Sequence, residues 1–437
     1  MAVTGWFVAL VALGAVPIVL LANGWAYLGW IGLCLVLAAV DLALAGSPRA
    51  VALERETAER VRLTDSAPAT LLVTNTGRRM LRGVVRDAWE PSAGASPTRQ
   101  PLRVPPGERR ALRITLTPWR RGERRTALVT IRSLGPMRLA ARQASVRAPG
   151  SIRVLPEFAS RRHLPSRLAR LRELDGRTAL MVRGQGTEFD SLREYVRGDD
   201  VRSIDWRATA RRSSGPGVAQ SLMVRTWRPE RDRRVVVIVD SGRTAAARIA
   251  DETRIDTAFE STLLLAALAD RAGDRVDAAV FDRRVRARVQ GARGADLLAK
   301  LTDAMAPIDP ELLETDWSAV PALVRSMSSQ RSLVVIATPL ESPGATRSLL
   351  AMLPQLTKKH LVLIASVTDP ALAEAAAERG DRASVYRAAS AERALLDAQR
   401  LAAAVRRLGG DVVSAAPHEL PPAVADRYLA YKAAGRL

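Results

Sequence analysis

The chain has 437 residues, enough for two or three domains, and is 48% hydrophobic and 25% charged, the balance of folded rather than disordered protein. Its formal charge of +21 invites a nucleic-acid reading, but of 66 basic residues only four are lysines (Lys300, Lys358, Lys359 and Lys432). The arginines run the length of the chain among acids, as on a codon-biased, solvated surface, so no nucleic-acid partner is expected; an anionic partner such as phospholipid headgroups or an acidic protein face is the alternative. The single cysteine, Cys34, lies in an apolar run and excludes an intrachain disulfide.

Residues 1–48 contain no Lys or Arg, and their only charged side chain is Asp41. Two apolar runs, about 5–22 and 25–45, flank the turn-like Asn23-Gly24. Each matches the ~20 helical residues that cross a bilayer core of ~30 Å. Trp6, Trp25, Tyr27 and Trp30 stand near the run ends, where amphipathic rings favour the interface. A transmembrane helical hairpin is therefore expected. A cleaved signal peptide fits less well, because no basic segment precedes the first run and a second follows at once. Arg49, Arg55, Arg60 and Arg62 come after the second run, which puts the N-terminus and the soluble domains in the cytoplasm by the positive-inside rule. Asp41 lies about one turn from the inner boundary. Its side chain is expected to reach headgroup water; the alternative is a hydrogen bond to a partner helix.

Residues 50–155 read as short strands. Leu112, Ile114 and Leu116 alternate with Arg113, Thr115 and Thr117, and turn signals recur at Asn75-Thr76-Gly77, Pro105-Pro106-Gly107, Arg121-Gly122 and Leu134-Gly135-Pro136. The pattern predicts a β-sandwich-like domain.

Residues 156–233 form an Arg- and Gly-rich connector. It carries Gly184-x-Gly186-x-Glu188-Phe189, Arg193-x-Tyr195, Gly198-Asp199-Asp200-x-Arg202, Asp205-Trp206 and Ala210-Arg211. The two glycines lack the third of a dinucleotide fingerprint, and the chain has no Gly-Lys-Ser/Thr phosphate loop. The composition points to a buried network of Arg–carboxylate forks closed over by Tyr195 and Trp206, with Arg197 and Arg202 as partners of Asp199 and Asp200. A partner-binding surface is the alternative. This motif run resembles the signature of the domain of unknown function 58 family. The N-terminal hairpin, the β-rich middle and the C-terminal Arg427-Tyr428-Leu429 resemble that family too. The resemblance implies a von Willebrand factor type A-like domain after the motif and a link to AAA+ ATPases of the MoxR class.

Residues 234–437 independently read as alternating strands and helices, which predicts a doubly wound parallel sheet. Val235–Val239, Val276–Phe281, Leu333–Ala337, Leu361–Ser366 and Asp411–Ser414 are the expected strands. Ligands bind such sheets at the carboxyl ends of strands. In von Willebrand A domains, the resemblance implies, a magnesium site is built there on Asp-x-Ser-x-Ser. The matching residues are Asp240-Ser241-Gly242-Arg243-Thr244. Asp240 and Thr244 fit and Thr315 supplies a hydroxyl. Gly242, however, has no ligand atom, Pro339 stands where a carboxylate is wanted, and Arg243 repels a cation. No tight metal and no cofactor are expected. Asp240, Arg243, Thr244 and Thr315 remain candidates for a partner-binding crest.

His163, His360 and His418 have no metal-ligand spacing, and no nucleophile–base pair can be identified. The sequence thus reads as a non-enzymatic, membrane-anchored interaction or assembly protein, with a MoxR-type ATPase as the partner the resemblance implies. The alternatives are a magnesium-dependent protein-binding module and an envelope-associated enzyme.

Overall fold

The computed structural model describes residues 2–16, 24–181, 188–197, 199–212, 222–228, 233–341 and 343–437. They form two compact units, Met1–Glu157 and Phe158–Leu437. The apolar N-terminal segment and the strands of residues 50–155 thus share one unit, and the connector belongs to the other.

In the first unit, helix Gly24–Leu44 is long and apolar enough to span a membrane. Its stretch Trp25–Leu44 has mean hydropathy 2.1, and little of it is buried. At 1.5 Å per residue its 20 residues give ~30 Å, one hydrocarbon thickness. A shorter helix, Gly5–Leu13, lies beside it: the Trp30 indole N–H donates to the Leu10 carbonyl at 3.1 Å, and a Cβ at Gly14 would collide with the Trp30 ring. The rest of the first apolar run and the turn at Asn23 lie outside the described residues.

Two antiparallel sheets follow. One has Val51–Thr57, Ala67–Asn75, Arg109–Leu116 and Ala95–Ser96. The other carries Leu81–Trp89, Arg99–Val104, Gly122–Leu134 and Ala140–Leu155, with Arg60–Arg62 and Ala2–Val3 added to it. Leu71, Val73 and Leu112 of the first sheet share a core with Leu81, Val85, Leu102 and Ile131 of the second, so the sheets pack face to face. Ala67–Asn75 and the later half of Arg109–Leu116 keep the period-two alternation that buries one face. Between the sheets the Arg55 guanidinium forks onto Asp87 at 2.5 and 2.9 Å. Asp87 also accepts from the Trp89 indole at 2.9 Å. Arg55, read in the sequence as a topogenic charge, is therefore buried in the folded domain.

The structure corrects the expectation for Asp41. It does not reach headgroup water and meets no partner helix. Its side chain is fully buried and accepts from the backbone N–H groups of Met137 (2.7 Å), Leu139 (2.8 Å) and Ala140 (2.9 Å) in the turn between the two longest strands. The Arg142 guanidinium donates to the Leu42 carbonyl at 2.9 Å. The chain start reaches the same turn: Ala2–Val3 pairs with Ala140–Ala141, and the Thr4 hydroxyl donates to the Arg138 carbonyl at 2.5 Å. The cause is a carboxylate that would be costly in lipid and a turn whose N–H groups have no strand partner.

In the second unit a six-stranded sheet runs Val285–Val289, Arg275–Phe281, Arg234–Asp240, Leu333–Ala337, Leu361–Val367, Asp411–Ala415. All neighbours are parallel except the first pair, and that antiparallel edge strand was not foreseen. Val235, Val237 and Val239 face a core containing Phe259, Leu264, Leu297 and Tyr428; Val236 and Ile238 face one containing Val324, Leu353 and Val405. Helices thus cover both faces, which is why these strands are apolar throughout rather than alternating. The Leu164–Met181 helix joins the first core through Leu171 and pairs Arg167 with Asp426 at 2.7 Å.

Asp41→Ala leaves three backbone N–H groups of a buried turn without an acceptor, at about 1–3 kcal/mol each. The variant is expected to lose several kcal/mol of first-unit stability, with hydrogen exchange rising selectively over residues 135–141. Exchange unchanged there would refute the tie.

Candidate functional site

The strand order reverses beside Arg234–Asp240, whose sequence neighbours Arg275–Phe281 and Leu333–Ala337 lie on opposite sides of it. At the carboxyl ends of these strands stand Asp240 and Thr338, the position where open α/β sheets form their crevice.

Asp240 is buried. One carboxylate oxygen accepts from the Gly242 N–H at 2.8 Å and the Thr315 hydroxyl at 2.5 Å; the other accepts from the Thr338 hydroxyl at 2.7 Å. Burial pushes this carboxyl above the usual range, against the opposing pull of those donors. Thr315 also explains the glycine: a Cβ at Gly242 would collide with its hydroxyl and lie 2.9 Å from the Leu313 carbonyl. The hydroxyl missing from position 242 is thus replaced in space by Thr315. Thr338 was passed over in the sequence, although a hydroxyl at the end of a buried strand beside Asp240 was a readable signal.

Next to this lock, Asp282 is buried and accepts from the Arg284 N–H at 3.0 Å and the Ser241 hydroxyl at 3.3 Å. Arg286 lies 3.8 Å from it and pairs with Glu311 at 2.6 Å. Arg243 is not an unengaged cation. It projects from the loop and holds Glu314 at 2.6 and 3.0 Å, both side chains about half exposed. An exposed pair of this kind is worth ~0–1 kcal/mol, so an incoming carboxylate can displace Glu314 at little cost.

These residues do not fit a magnesium site. Position 242 offers no ligand, the Thr315 and Thr338 hydroxyls are committed as donors to Asp240, and a guanidinium sits on the same loop. Among the described residues no cluster of three His, Cys, Asp or Glu side chains is placed to hold a metal.

The connector motif is arranged differently from expectation. Glu188–Glu194 pairs with Met223–Arg228 as an antiparallel ribbon, followed by a turn at Val201–Ser203 and a helix Trp206–Arg212. Arg193 forks onto Asp199 at 2.7 and 2.5 Å, so the partner of Asp199 is Arg193 and not Arg197. Asp200 accepts from the backbone N–H of Arg202 at 3.0 Å rather than from its guanidinium. Asp205 caps the helix through the Arg207 and Ala208 N–H groups and pairs with Arg225 at 2.7 Å. These bonds hold the Asp199 and Asp205 carboxyls below the usual range, the Arg193 fork leading for the first and the Ala208 N–H for the second. The network is not buried. Arg193 is 41% exposed, Arg202 and Arg211 face solvent, and Trp206 is 66% exposed. Tyr195 donates its backbone N–H to Leu222 at 2.7 Å. Among the described residues, Ile204, Met223 and Val224 are buried near it. Gly184, Gly186 and Gly198 lie outside the described residues, as do the side chains of Glu188 and Phe189.

Of the C-terminal Arg427-Tyr428-Leu429, Tyr428 is fully buried and donates to Asp274 at 2.5 Å, where Lys432 also lies 3.2 Å away. Arg427 pairs with Asp411 at 3.2 Å. These residues fasten the last helix beside the amino ends of the strands, at the edge away from the crest.

The family described as protein of unknown function DUF58 matches residues 191–411, half of the chain. The chain belongs to this family. Its match begins within the ribbon and runs through the crest to the last strand. No curated protein matches the chain. Among solved structures, it is similar to the CARDB domain of the PF1109 protein from Pyrococcus furiosus (17% identity over 24% of this chain and 91% of that one, TM-score 0.19). It is also similar to the PapD-like domain of human CEP192 (12% identity, 23% and 84% covered, TM-score 0.15) and to a beta-glucosidase from Listeria innocua (13%, 24% and 16%, TM-score 0.16).

The lock makes a pH-dependent prediction. With its folded pKa above the unfolded ~3.9, Asp240 lowers stability as pH rises from about 4 through the folded value. Asp240→Asn is expected to flatten that slope, since the threonine hydroxyls can turn to accept from the amide. Asp240→Ala, which strands buried donors at about 1–3 kcal/mol each, is expected to cost several kcal/mol. Denaturant unfolding between pH 4 and 8 reads both; equal losses for Asn and Ala would refute the lock.

Proposed function

We propose that this DUF58 protein is a membrane-anchored interaction protein, with two N-terminal spans and the soluble mass in the cytoplasm, whose von Willebrand A-like domain engages a protein partner. The observation that carries the reading is the motif surface. Arg193, Asp199, Asp200 and Asp205 hold the ribbon, its turn and the start of the following helix, while Leu192, Val196, Val201 and Trp206 are 40–66% exposed. Large apolar side chains held out on a fixed frame are the usual mark of an association surface.

The two-span topology draws support from the first unit. The start of the Gly5–Leu13 helix and the end of the Gly24–Leu44 helix reach the same turn, so a second crossing returns the chain to its starting side. Four arginines after Pro48 favour the cytoplasm for that side. The antiparallel edge strand and the hydroxyl-rich crest agree with a von Willebrand A-like fold, and the committed donors around Asp240 favour metal-independent contact. By family resemblance the partner is a MoxR-class AAA+ ATPase.

The test is affinity purification of the full chain in mild detergent. Wild type is expected to bring down an AAA+ ATPase. Val196→Asp with Trp206→Ala is expected to reduce recovery at least tenfold, and Arg243→Glu to reduce it severalfold. Recovery without any ATPase, or unaffected by the motif variant, would refute the reading. Calorimetry on the same preparation is expected to give no magnesium binding in the micromolar range; such binding would favour the metal-dependent alternative.

A further inference from the structure

We infer that the membrane-facing end of the β-domain is a docking surface for anionic phospholipid headgroups; the inference rests on the membrane-anchored reading above. The Gly24–Leu44 helix fixes the level of the bilayer boundary at Leu44, which is 48% exposed, and Trp6 at the foot of the neighbouring helix is 67% exposed. Two β-turns stand against this boundary. The turn at Gly135–Leu139 is held by Asp41. The turn before Leu81 abuts Gly46, where a Cβ would lie 3.3 Å from the Leu81 Cα and closer still to the Met80 carbonyl.

Each turn presents the same pair of chemistries. Met80 and Met137 are 40% and 41% exposed, and Arg78, Arg79 and Arg138 beside them are exposed, as is Arg49 just past the helix. Among the described residues none of these four arginines is held in an ion pair. Arg82 and Arg142 add to the cluster. Across residues 41–50, 76–83 and 134–142 the only carboxylate is Asp41, and it is fully buried with its oxygens committed to backbone N–H groups. Glu108, whose carbonyl pairs with the Asn75 N–H, brings one exposed acid to the flank of the turn before Leu81. The excess remains strongly positive.

Flexible methionines flanked by guanidinium groups at the depth of a helix end match the interface of an anionic leaflet: the thioethers enter the acyl boundary, and the arginines meet phosphate. A soluble anion would use the arginines and leave the methionines in water. The tie through Asp41 means that the backbone of the Gly135–Leu139 turn is already ordered before contact.

The test reconstitutes the full chain into vesicles of mixed phosphatidylglycerol and phosphatidylcholine carrying trace spin-labelled lipid of either headgroup. Wild type is expected to prefer the labelled phosphatidylglycerol about fivefold at low salt, with the preference screened away at high salt. R78Q/R79Q/R138Q is expected to bring it close to parity, and R325Q/R347Q/R406Q, an equal charge change in the other unit, to leave it intact. Parity in wild type, insensitivity to salt, or equal loss in both triple variants would overturn the inference. Release of wild type from the vesicles by an alkaline carbonate wash would overturn the anchor reading and this inference together; retention without lipid preference overturns only the inference.

Discussion

Everything in the first unit depends on one carboxylate. An aspartate in an apolar helix is expensive in hydrocarbon, and it tolerates burial only when its charge is met by donors. Asp41 is met by three backbone N–H groups of a turn that lies almost a hundred residues later in the chain. Three N–H groups converging on one carboxyl group fix the orientation of the turn against the helix. Gly135 follows from it, since a Cβ there would occupy the Asp41 carboxylate. So does the addition of Ala2–Val3 to the sheet edge beside that turn.

The second unit uses the same device at both ends of its sheet. Asp240 at the crest and Asp274 at the opposite end are buried carboxyls pushed up by desolvation and met by hydroxyl donors, with Lys432 assisting Asp274. Removing a partner from such a group is costly, whereas the exposed forks at Arg193–Asp199 and Arg243–Glu314 contribute little to stability. Burial therefore decides which charges shape the fold. The exposed ones remain open to exchange, and that property suits a contact surface.

Much of the architecture was legible because it is periodic. Continuous apolar runs between helical stretches marked the parallel strands, and the expected Val235–Val239 lies within one residue at each end of the strand Arg234–Asp240. The edge strand Val285–Val289 escaped because its alternation with Arg286 and Arg288 is brief and follows a tight turn. Site geometry was less legible for a physical reason: the partners are far apart in sequence. Nothing local to Asp41 names Met137 to Ala140, and nothing local to Gly242 names Thr315. The motif misled in the opposite way. Its abundance of Arg and Asp suggested a buried network, but the Arg193 and Arg225 side chains are 41% and 45% exposed, so the pairs they make lie at the surface. The buried Arg–carboxylate fork is instead Arg55 on Asp87, in the β-domain.

That contrast bears on what the motif is for. A surface ribbon gains little stability from Arg193–Asp199 or Arg225–Asp205, yet these pairs fix the path of the chain from Leu192 to Trp206. Ordering those residues costs conformational entropy that so small a core barely offsets. Apolar side chains carried on that backbone lose less when they are covered, because the backbone ordering has already been done. A segment whose sequence is spent on shape rather than on burial is suited to being completed by a second protein. The half-exposed Arg243–Glu314 pair at the crest offers such a protein a charged contact of equally low internal cost.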